Sequence, residues 1–246
     1  MDRVIIEVTG SDRKSFLQGL ATNDVSGAGG GLVHAALLTP QGKYLADFFL
    51  KGEEGRILVD VAEGLAGPLL QRLSMYRLRA NVALAPTDLR VRRGTGPGPE
   101  DALPDPRHPA LGWRLYGTEG GSDGTDWDAI RVAHTIPETG IELTPETYIL
   151  EAGFERLHGV DFRKGCYVGQ EVTARMKHKI ELRKGLAQVV VEGEAPVGTS
   201  IMAGGREAGT LYTQSGGRGI AHLRFDRAGE AMTAGEARVR LAGVLP

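Results

Sequence analysis

Leu32-Val33-His34-Ala35-Ala36-Leu37-Leu38, Thr39-Pro40-Gln41-Gly42-Lys43 and Tyr44-Leu45-Ala46-Asp47-Phe48-Phe49-Leu50 follow one another without a break. Two apolar runs of strand length flank a segment in which Pro is followed by Gln-Gly, a pattern that suits a hairpin turn. A hairpin makes its strands antiparallel, which sets the kind of sheet the chain builds. Working outward, Arg56 to Val61 reads as a third strand and Arg3 to Val8 as a short opening one. Ser11 or Asp12 can cap a helix running through Leu20, with Phe16, Leu17 and Leu20 on its apolar face. Leu65 to Leu78 carries apolar residues close to helical spacing, and Val82 to Arg92 returns as a strand. Residues 1–92 therefore read strand-helix-strand-strand-strand-helix-strand, an α+β arrangement with helices packed on an antiparallel sheet. Gly27-Ala28-Gly29-Gly30-Gly31 lacks the GxGxxG spacing of a phosphate cradle and reads as a turn.

Gly94 to Pro109 is dense in Gly and Pro and is expected to be a surface connection. Leu111 to Tyr116 is a strand, followed by a helix capped by Asp123 or Thr125 and running to about Thr135, where Pro137 and Gly140 end it. Thr144 to Leu150 is expected to be extended, and Glu151 to Leu157 to form a helical turn. Past Arg183 the texture changes. Leu186–Val191, Ser200–Ala203, Glu207–Thr213, Gly219–Leu223 and Ala237–Leu241 are short strands broken by Gly and Pro, which suggests a small antiparallel barrel or sandwich. A boundary falls near Leu182, dividing the chain into 1–182, with its Gly/Pro-rich connection near 94–110, and 183–246.

Of 246 residues, 41% are apolar and 24% charged, with a formal net charge of −2. These values fit a soluble globular protein and supply no global positive field to recruit nucleic acid. The single cysteine excludes an internal disulfide, a thiolate-rich metal site and a cluster held by one chain alone. The start of the chain is too charged for a signal peptide's apolar core, and no run approaches the roughly 18 apolar residues of a membrane helix. A cytoplasmic location and no direct membrane partner are expected. The six histidines show no HxxxH pairing, so no metal site is expected, and no GxSxG elbow appears.

Three features can carry chemistry. Cys166 sits in Phe162-Arg163-Lys164-Gly165-Cys166-Tyr167-Val168-Gly169-Gln170-Glu171, behind two cations and ahead of a helix expected from Val168 to Lys177. Both features lower a thiol's pKa, although a lone cysteine is equally a small apolar filler. Arg175, Lys177, Lys179, Arg183 and Lys184, opposed by Glu181, form a cationic patch for a polyanion or else a solvated helix end. Asp47 and Glu151 each lie beside apolar chain, where an ionised carboxylate needs partners. Each is either a ligand acceptor or an outward-facing strand residue or cap.

Lys164 to Glu171 matches the KGCYxGQE motif of the YgfZ-type folate-binding proteins, relatives of the glycine-cleavage T-protein, an aminomethyltransferase. Phe16 to Val25 resembles that family's FLQGQxTNDV. Leu38 to Lys43 with Asp47 resembles its hairpin, Tyr76-Arg77-Leu78-Arg79 its Y-x-[LM]-R, and Leu150-Glu151-Ala152-Gly153 the T-protein's LEAG. The resemblance implies two ferredoxin-like units with antiparallel sheets plus a small C-terminal β-barrel, the aminomethyltransferase folate-binding fold. It implies tetrahydrofolate as cofactor and a role in assembly or repair of iron–sulfur proteins, including tRNA-modifying ones. Partners would be folate and iron–sulfur proteins or carriers; nucleic acid is disfavoured by the net charge. Cys166 and Asp47 inherit the reactive positions. Glu151, Tyr76, Arg79, Asn23, Asp24, Lys164, Tyr167, Gln170 and Arg175 inherit folate-binding ones. The T-protein hairpin carries two adjacent aspartates where this chain reads Ala46-Asp47, a departure that weakens the alternative of a folate-dependent aminomethyl or one-carbon transferase.

Overall fold

The computed structural model describes residues 2–178, 182–229 and 231–243. The chain folds into two compact units, Met1–Thr125 with Phe154–Ala174, and Asp126–Gly153 with Arg175–Pro246.

The hairpin forms one edge of the first unit's sheet. β1 (Arg3–Thr9), α1 (Arg13–Gln18), β2 (Leu32–Leu38), β3 (Tyr44–Glu53), β4 (Arg56–Ala62), α2 (Glu63–Arg77) and β5 (Ala83–Pro86) follow in the order read from the sequence. The five strands make one antiparallel sheet, β2-β3-β4-β1-β5. Side chains along a strand point alternately to its two faces. One face sends Val33, Ala35, Leu37, Ala46, Phe48 and Leu50 against Leu17 of α1 and Leu69 and Leu73 of α2. Burying each of the larger side chains contributes about 1.5–3 kcal/mol. The residues between them, His34, Ala36, Asp47 and Phe49, with Asp60 of β4, face the other way and are buried too. Asp47 therefore sits in an apolar run because both faces of the sheet are covered.

The cover on the second face comes in part from a second sheet. β6 (Arg90–Gly94), β7 (Leu103–Pro104), β8 (Trp113–Gly117) and β9 (Gly121–Ser122) pair in the order β7-β8-β6-β9. The single strand expected from Val82 to Arg92 is thus two strands in different sheets. Thr87 makes the turn: its N–H and hydroxyl donate to Ile5 O at 2.9 and 3.1 Å, and its Oγ1 accepts from Leu89 N at 3.2 Å. The Gly/Pro-rich stretch is also more than a surface connection, since it buries Asp105 and Arg107 to 5% and 9% exposure. They complete a charge cluster that joins the two sheets. Arg3 Nε donates to Asp60 Oδ1 at 2.6 Å, and Arg114 Nη1 and Tyr116 OH donate to Asp60 Oδ2 at 3.1 and 2.9 Å. Arg114 Nε and Arg107 Nη2 donate to Asp105 Oδ2 at 3.0 and 2.9 Å. Phe49 lies under the cluster, with the Arg114 guanidinium 3.9 Å from its ring centroid. Burial pushes the Asp105 carboxyl up, but the Arg107 and Arg114 charges outweigh it and hold the group well below its ordinary value.

In the second unit, α3 (Trp127–His134) precedes a closed barrel. α4 (Gln170–Lys177) leads to it, and its strands are β10 (Lys184–Glu192), β11 (Thr199–Ala203), β12 (Arg206–Ser215), β13 (Arg218–Arg224), β14 (Met232–Ala234) and β15 (Ala237–Gly243). The barrel order is β10-β13-β12-β11-β14-β15, closed by β10 pairing with β15. Closure leaves no open edge to aggregate. The short β14 escaped the sequence reading. The cap of α3 is Asp126, whose Oδ1 accepts from Ala129 N at 2.9 Å, while Asp123 serves Thr95 and Thr125 instead. Arg131 of α3 pairs with Glu142 Oε2, and Glu142 Oε1 accepts from Thr213 Oγ1 of β12 at 2.6 Å, fastening helix to barrel. Residues 144–150 are turns rather than the expected extended run, and 151–157 continue as hydrogen-bonded turns, with Ala152 N donating to Tyr148 O at 3.3 Å and Gly153 N to Leu150 O at 3.1 Å. The class is α+β with antiparallel sheets and a C-terminal barrel; β6 and β9 form the parallel exception.

Removing one member of a buried ion pair costs about 3–5 kcal/mol because its partner stays buried and uncompensated. Arg114→Leu is expected to lower the urea-unfolding free energy by about that amount. Asp105 has a depressed folded pKa, so its contribution is complete above the unfolded value near 3.9 and is lost as pH falls through the folded one. Below about pH 4 the wild-type urea midpoint should fall more steeply than that of Asp105→Asn.

Candidate functional site

The hairpin turn and the Cys166 segment meet through two glycines. Gly42 (φ +76°) and Gly169 (φ +84°) both lie in the left-handed region. A Cβ on Gly169 would come within 2.6 Å of Thr39 O and 2.9 Å of Leu38 Cβ, and one on Gly42 within 2.8 Å of Val172 Cβ. Only glycine permits this approach. A second seam joins residues 18–24 to residues 157–164. Thr22 Oγ1 donates to Gly159 O at 2.6 Å and accepts from Ala36 N at 2.8 Å, and Asp161 N donates to Thr22 O at 3.1 Å. Asn23 Nδ2 donates to His34 O at 2.9 Å and His158 O at 2.7 Å, while its Oδ1 accepts from Asp24 N at 2.8 Å. Asp24 caps the 3₁₀ turn Val25–Gly29 by accepting from Ser26 N at 3.0 Å, and that hydrogen bond lowers its pKa. Asn23 and Asp24, expected to bind folate, thus spend these atoms on the chain itself.

Lys164 is the strongest stitch. Its Nζ donates to Gln18 O at 2.7 Å and also to Ala21 O, capping carbonyls at the end of α1. Burial pushes its pKa down to about 8, with Asp24 and Asp161 opposing. The ammonium also lies 5.0 Å from the Tyr167 ring centroid. Tyr167 is 7% exposed; its hydroxyl lies beside Thr173 but closes no hydrogen bond among the described residues. Cys166 is exposed, in irregular chain ahead of α4, which begins at Gln170 rather than Val168. The two cations expected to attend the thiol are held elsewhere: Lys164 by carbonyls, and Arg163 Nε by Asp161 Oδ1 at 3.3 Å. Gln170 N donates to Tyr167 O at 3.2 Å, which sets the start of α4.

Asp47 is 5% exposed, and its Oδ1 accepts from Tyr44 OH at 2.7 Å. His34 Nε2 lies 3.6 Å from Asp47 Oδ2. The sequence reading passed over His34 and Tyr44; the hairpin register, which pairs Ala36 with Asp47 and His34 with Phe49, sets His34 on the face of Asp47, and the register shift that pairs Leu38 with Tyr44 brings Tyr44 to the same face. Tyr76 of α2 packs against the apolar core on the opposite face, and Arg79 is exposed in the turn after it. In the second unit, Glu151 is 8% exposed, and its Oε2 lies 3.4 Å from both Lys184 Nζ and His222 Nε2. Its backbone carbonyl accepts from Leu186 N at 2.7 Å, fixing it to β10. Sequence reading did not foresee these partners, because they come from two non-adjacent stretches of the barrel. Arg175 and Lys177 are exposed on the last turn of α4, whereas Lys179 and Glu181 of the cationic patch lie outside the described residues.

Residues 183–243 match the family model described as the C-terminal beta-barrel domain of CAF17. Along the chain, the mitochondrial iron–sulfur cluster assembly factor IBA57 of Mus musculus is 32% identical over 91% of this chain and 76% of its own length. The chain belongs to the IBA57 family. The Homo sapiens protein is also 32% identical, over 90% of this chain and 75% of its own. A crystal structure of the glycine cleavage system aminomethyltransferase T from Bartonella henselae superposes with a TM-score of 0.76, covering 99% of this chain and 83% of that one at 14% identity. At that identity the likeness is one of fold. The IBA57 relatives are named as mitochondrial proteins, which overturns the cytoplasmic location expected from composition.

The two glycines of the motif separate cleanly in their demands. Nothing lies within 4 Å of a Cβ on Gly165. Gly169→Ala is expected to lower the urea-unfolding free energy by about 1–3 kcal/mol through strain and overpacking, and Gly165→Ala by about 0.5 kcal/mol or less.

Proposed function

We propose that this protein is a tetrahydrofolate-binding factor of YgfZ type that supports the assembly or repair of iron–sulfur proteins, those that modify tRNA among them, with Cys166 as its working thiol. The observation that carries the reading is an exposed Cys166 on a segment fastened by Lys164, Thr22 and Gly169, in a chain of the IBA57 family. A thiol held out on a rigid support suits transient contact with an iron–sulfur carrier, which supplies the cluster or receives it. The chain's lone cysteine makes a resident cluster a poor fit, since such clusters take about four ligands.

The donor set of the second unit fits a pterin. Glu151 Oε2 lies 3.4 Å from Lys184 Nζ and His222 Nε2, and a carboxylate in that place accepts hydrogen bonds from the N–H groups of such a ring. Arg175 and Lys177 supply cations for the carboxylates of the glutamate tail. In the first unit, Asp47, Tyr76, Arg79, Tyr167 and Gln170 are assigned folate-binding roles on the family resemblance alone. Asn23, Asp24 and Lys164 serve by holding the Cys166 segment.

Titration calorimetry with tetrahydrofolate is expected to give a saturable heat that Glu151→Ala removes and Cys166→Ser leaves intact. Cys166→Ser should fold normally yet leave iron–sulfur enzyme activity unrestored in a strain lacking the factor. Absence of heat at millimolar ligand sinks the folate assignment, and full restoration by Cys166→Ser sinks the thiol's role.

A further inference from the structure

His34 is 1% exposed and lies between two aromatic rings, its centroid 5.4 Å from that of Phe49 and 5.0 Å from that of Phe154. The chain makes room for it at Gly159, where a Cβ would fall 2.9 Å from His34 Nδ1 and 2.5 Å from Phe154 Cδ1. An imidazole so tightly enclosed cannot swing between partners, so its two nitrogens have fixed neighbours. Nδ1 is 3.1 Å from Leu157 O. A carbonyl oxygen only accepts, so Nδ1 carries a hydrogen. Nε2 faces Asp47 Oδ2 at 3.6 Å, an ion-pair separation, and is a buried polar atom without a hydrogen-bond partner among the described residues.

Proton accounting follows from these neighbours. With Nδ1 protonated, attraction between Nε2 and the carboxylate requires one further proton between them, on the ring or on Asp47. Either placement leaves the pair neutral overall, the arrangement that buried surroundings tolerate best. The other Asp47 oxygen is served by Tyr44 OH, which itself accepts from Asp47 N at 3.2 Å. Arg3, Arg107 and Arg114 lie over the neighbouring Phe49 ring at 5.4, 4.9 and 3.9 Å from its centroid. Glu155, Arg156 and His158 are the titratable residues of the 154–159 segment packed on His34.

We infer that His34 is a positioning residue that shares one proton with Asp47 and ties that carboxylate to the segment leading to Cys166. Through Nδ1 it holds Leu157, and through Nε2 it holds Asp47, so a change of partner at the carboxylate is felt two residues from Gly159. The inference deepens the proposed site and rests on that reading only for the site's purpose; the coupling itself is tested without folate.

Two substitutions divide the imidazole. His34→Asn keeps a donor where Nδ1 stood and loses the reach to Asp47, whereas His34→Gln keeps a donor where Nε2 stood and loses Leu157. Nitrogen-15 NMR of wild type should show His34 protonated at Nδ1, with an Nε2 resonance that moves when Asp47→Asn is introduced. Amide hydrogen exchange at Gly159 and Asp161 should quicken about fivefold in His34→Gln, as loss of about 1 kcal/mol of holding predicts, and stay near wild type in His34→Asn. An unprotonated Nδ1, an Nε2 resonance indifferent to Asp47→Asn, or equal exchange in both variants would overturn the inference. The wild-type and Asp47→Asn spectra decide it even if neither His34 variant folds. Tetrahydrofolate titration of the same proteins fails separately if only the ligand assignment is at fault.

Discussion

A carboxylate cannot enter a protein interior bare, and that constraint shapes both units. Asp60 and Asp105 are covered by Arg3, Arg107, Arg114 and Tyr116; Asp47 by Tyr44 and His34; Glu142 by Arg131 and Thr213; Glu151 by Lys184 and His222. Each compensating group comes from a different strand or loop from the acid it serves, apart from Tyr44 and Arg107, which sit close by in sequence. The ionic contacts therefore do more to fix which elements pack together than to add net stability. In the first unit they tie the covering chain to the second face of the five-stranded sheet.

The Asp60 cluster and the Asp47 group differ in a way that bears on function. Around Asp60 and Asp105, guanidiniums donate at hydrogen-bond distance and Phe49 seals the underside, so the cluster is fully occupied with holding two sheets together. Around Asp47, Tyr44 OH donates at 2.7 Å while the histidine stands at 3.6 Å. The Cys166 segment shows the same division of labour. Lys164 is consumed by carbonyls and Thr22 by the backbone, which leaves the thiol outward on a fixed base.

Much of this was legible in the residues. The hairpin around Pro40 to Lys43, the helix-strand order of residues 1–92 and the change of texture after Arg183 follow from periodicity and turn chemistry, which are local. Where the reading missed, something distant intervened. Val82 to Arg92 is apolar enough for one strand, yet Thr87 bonds to Ile5 and breaks it in two. Asp123 and Thr125 had the chemistry of a helix cap, yet Asp126 took the position and Asp123 turned to Thr95. Gly94 to Pro109 looked like exposed connection because nothing local says that Asp105 and Arg107 will meet Arg114.

The sequence by itself determined the antiparallel α+β class, the barrel and the segments that matter, because hydrophobic period, turn residues and a specific motif are properties of neighbouring positions. Only the tertiary structure decided what the polar residues in those segments do. It put Lys164 onto carbonyls of residues 18 and 21, gave Glu151 its partners from the barrel, and set His34 between Asp47 and Leu157. A side chain's partner is set by desolvation, which compels each buried polar group to find whichever complement the fold brings within about 3 Å, however distant in the chain.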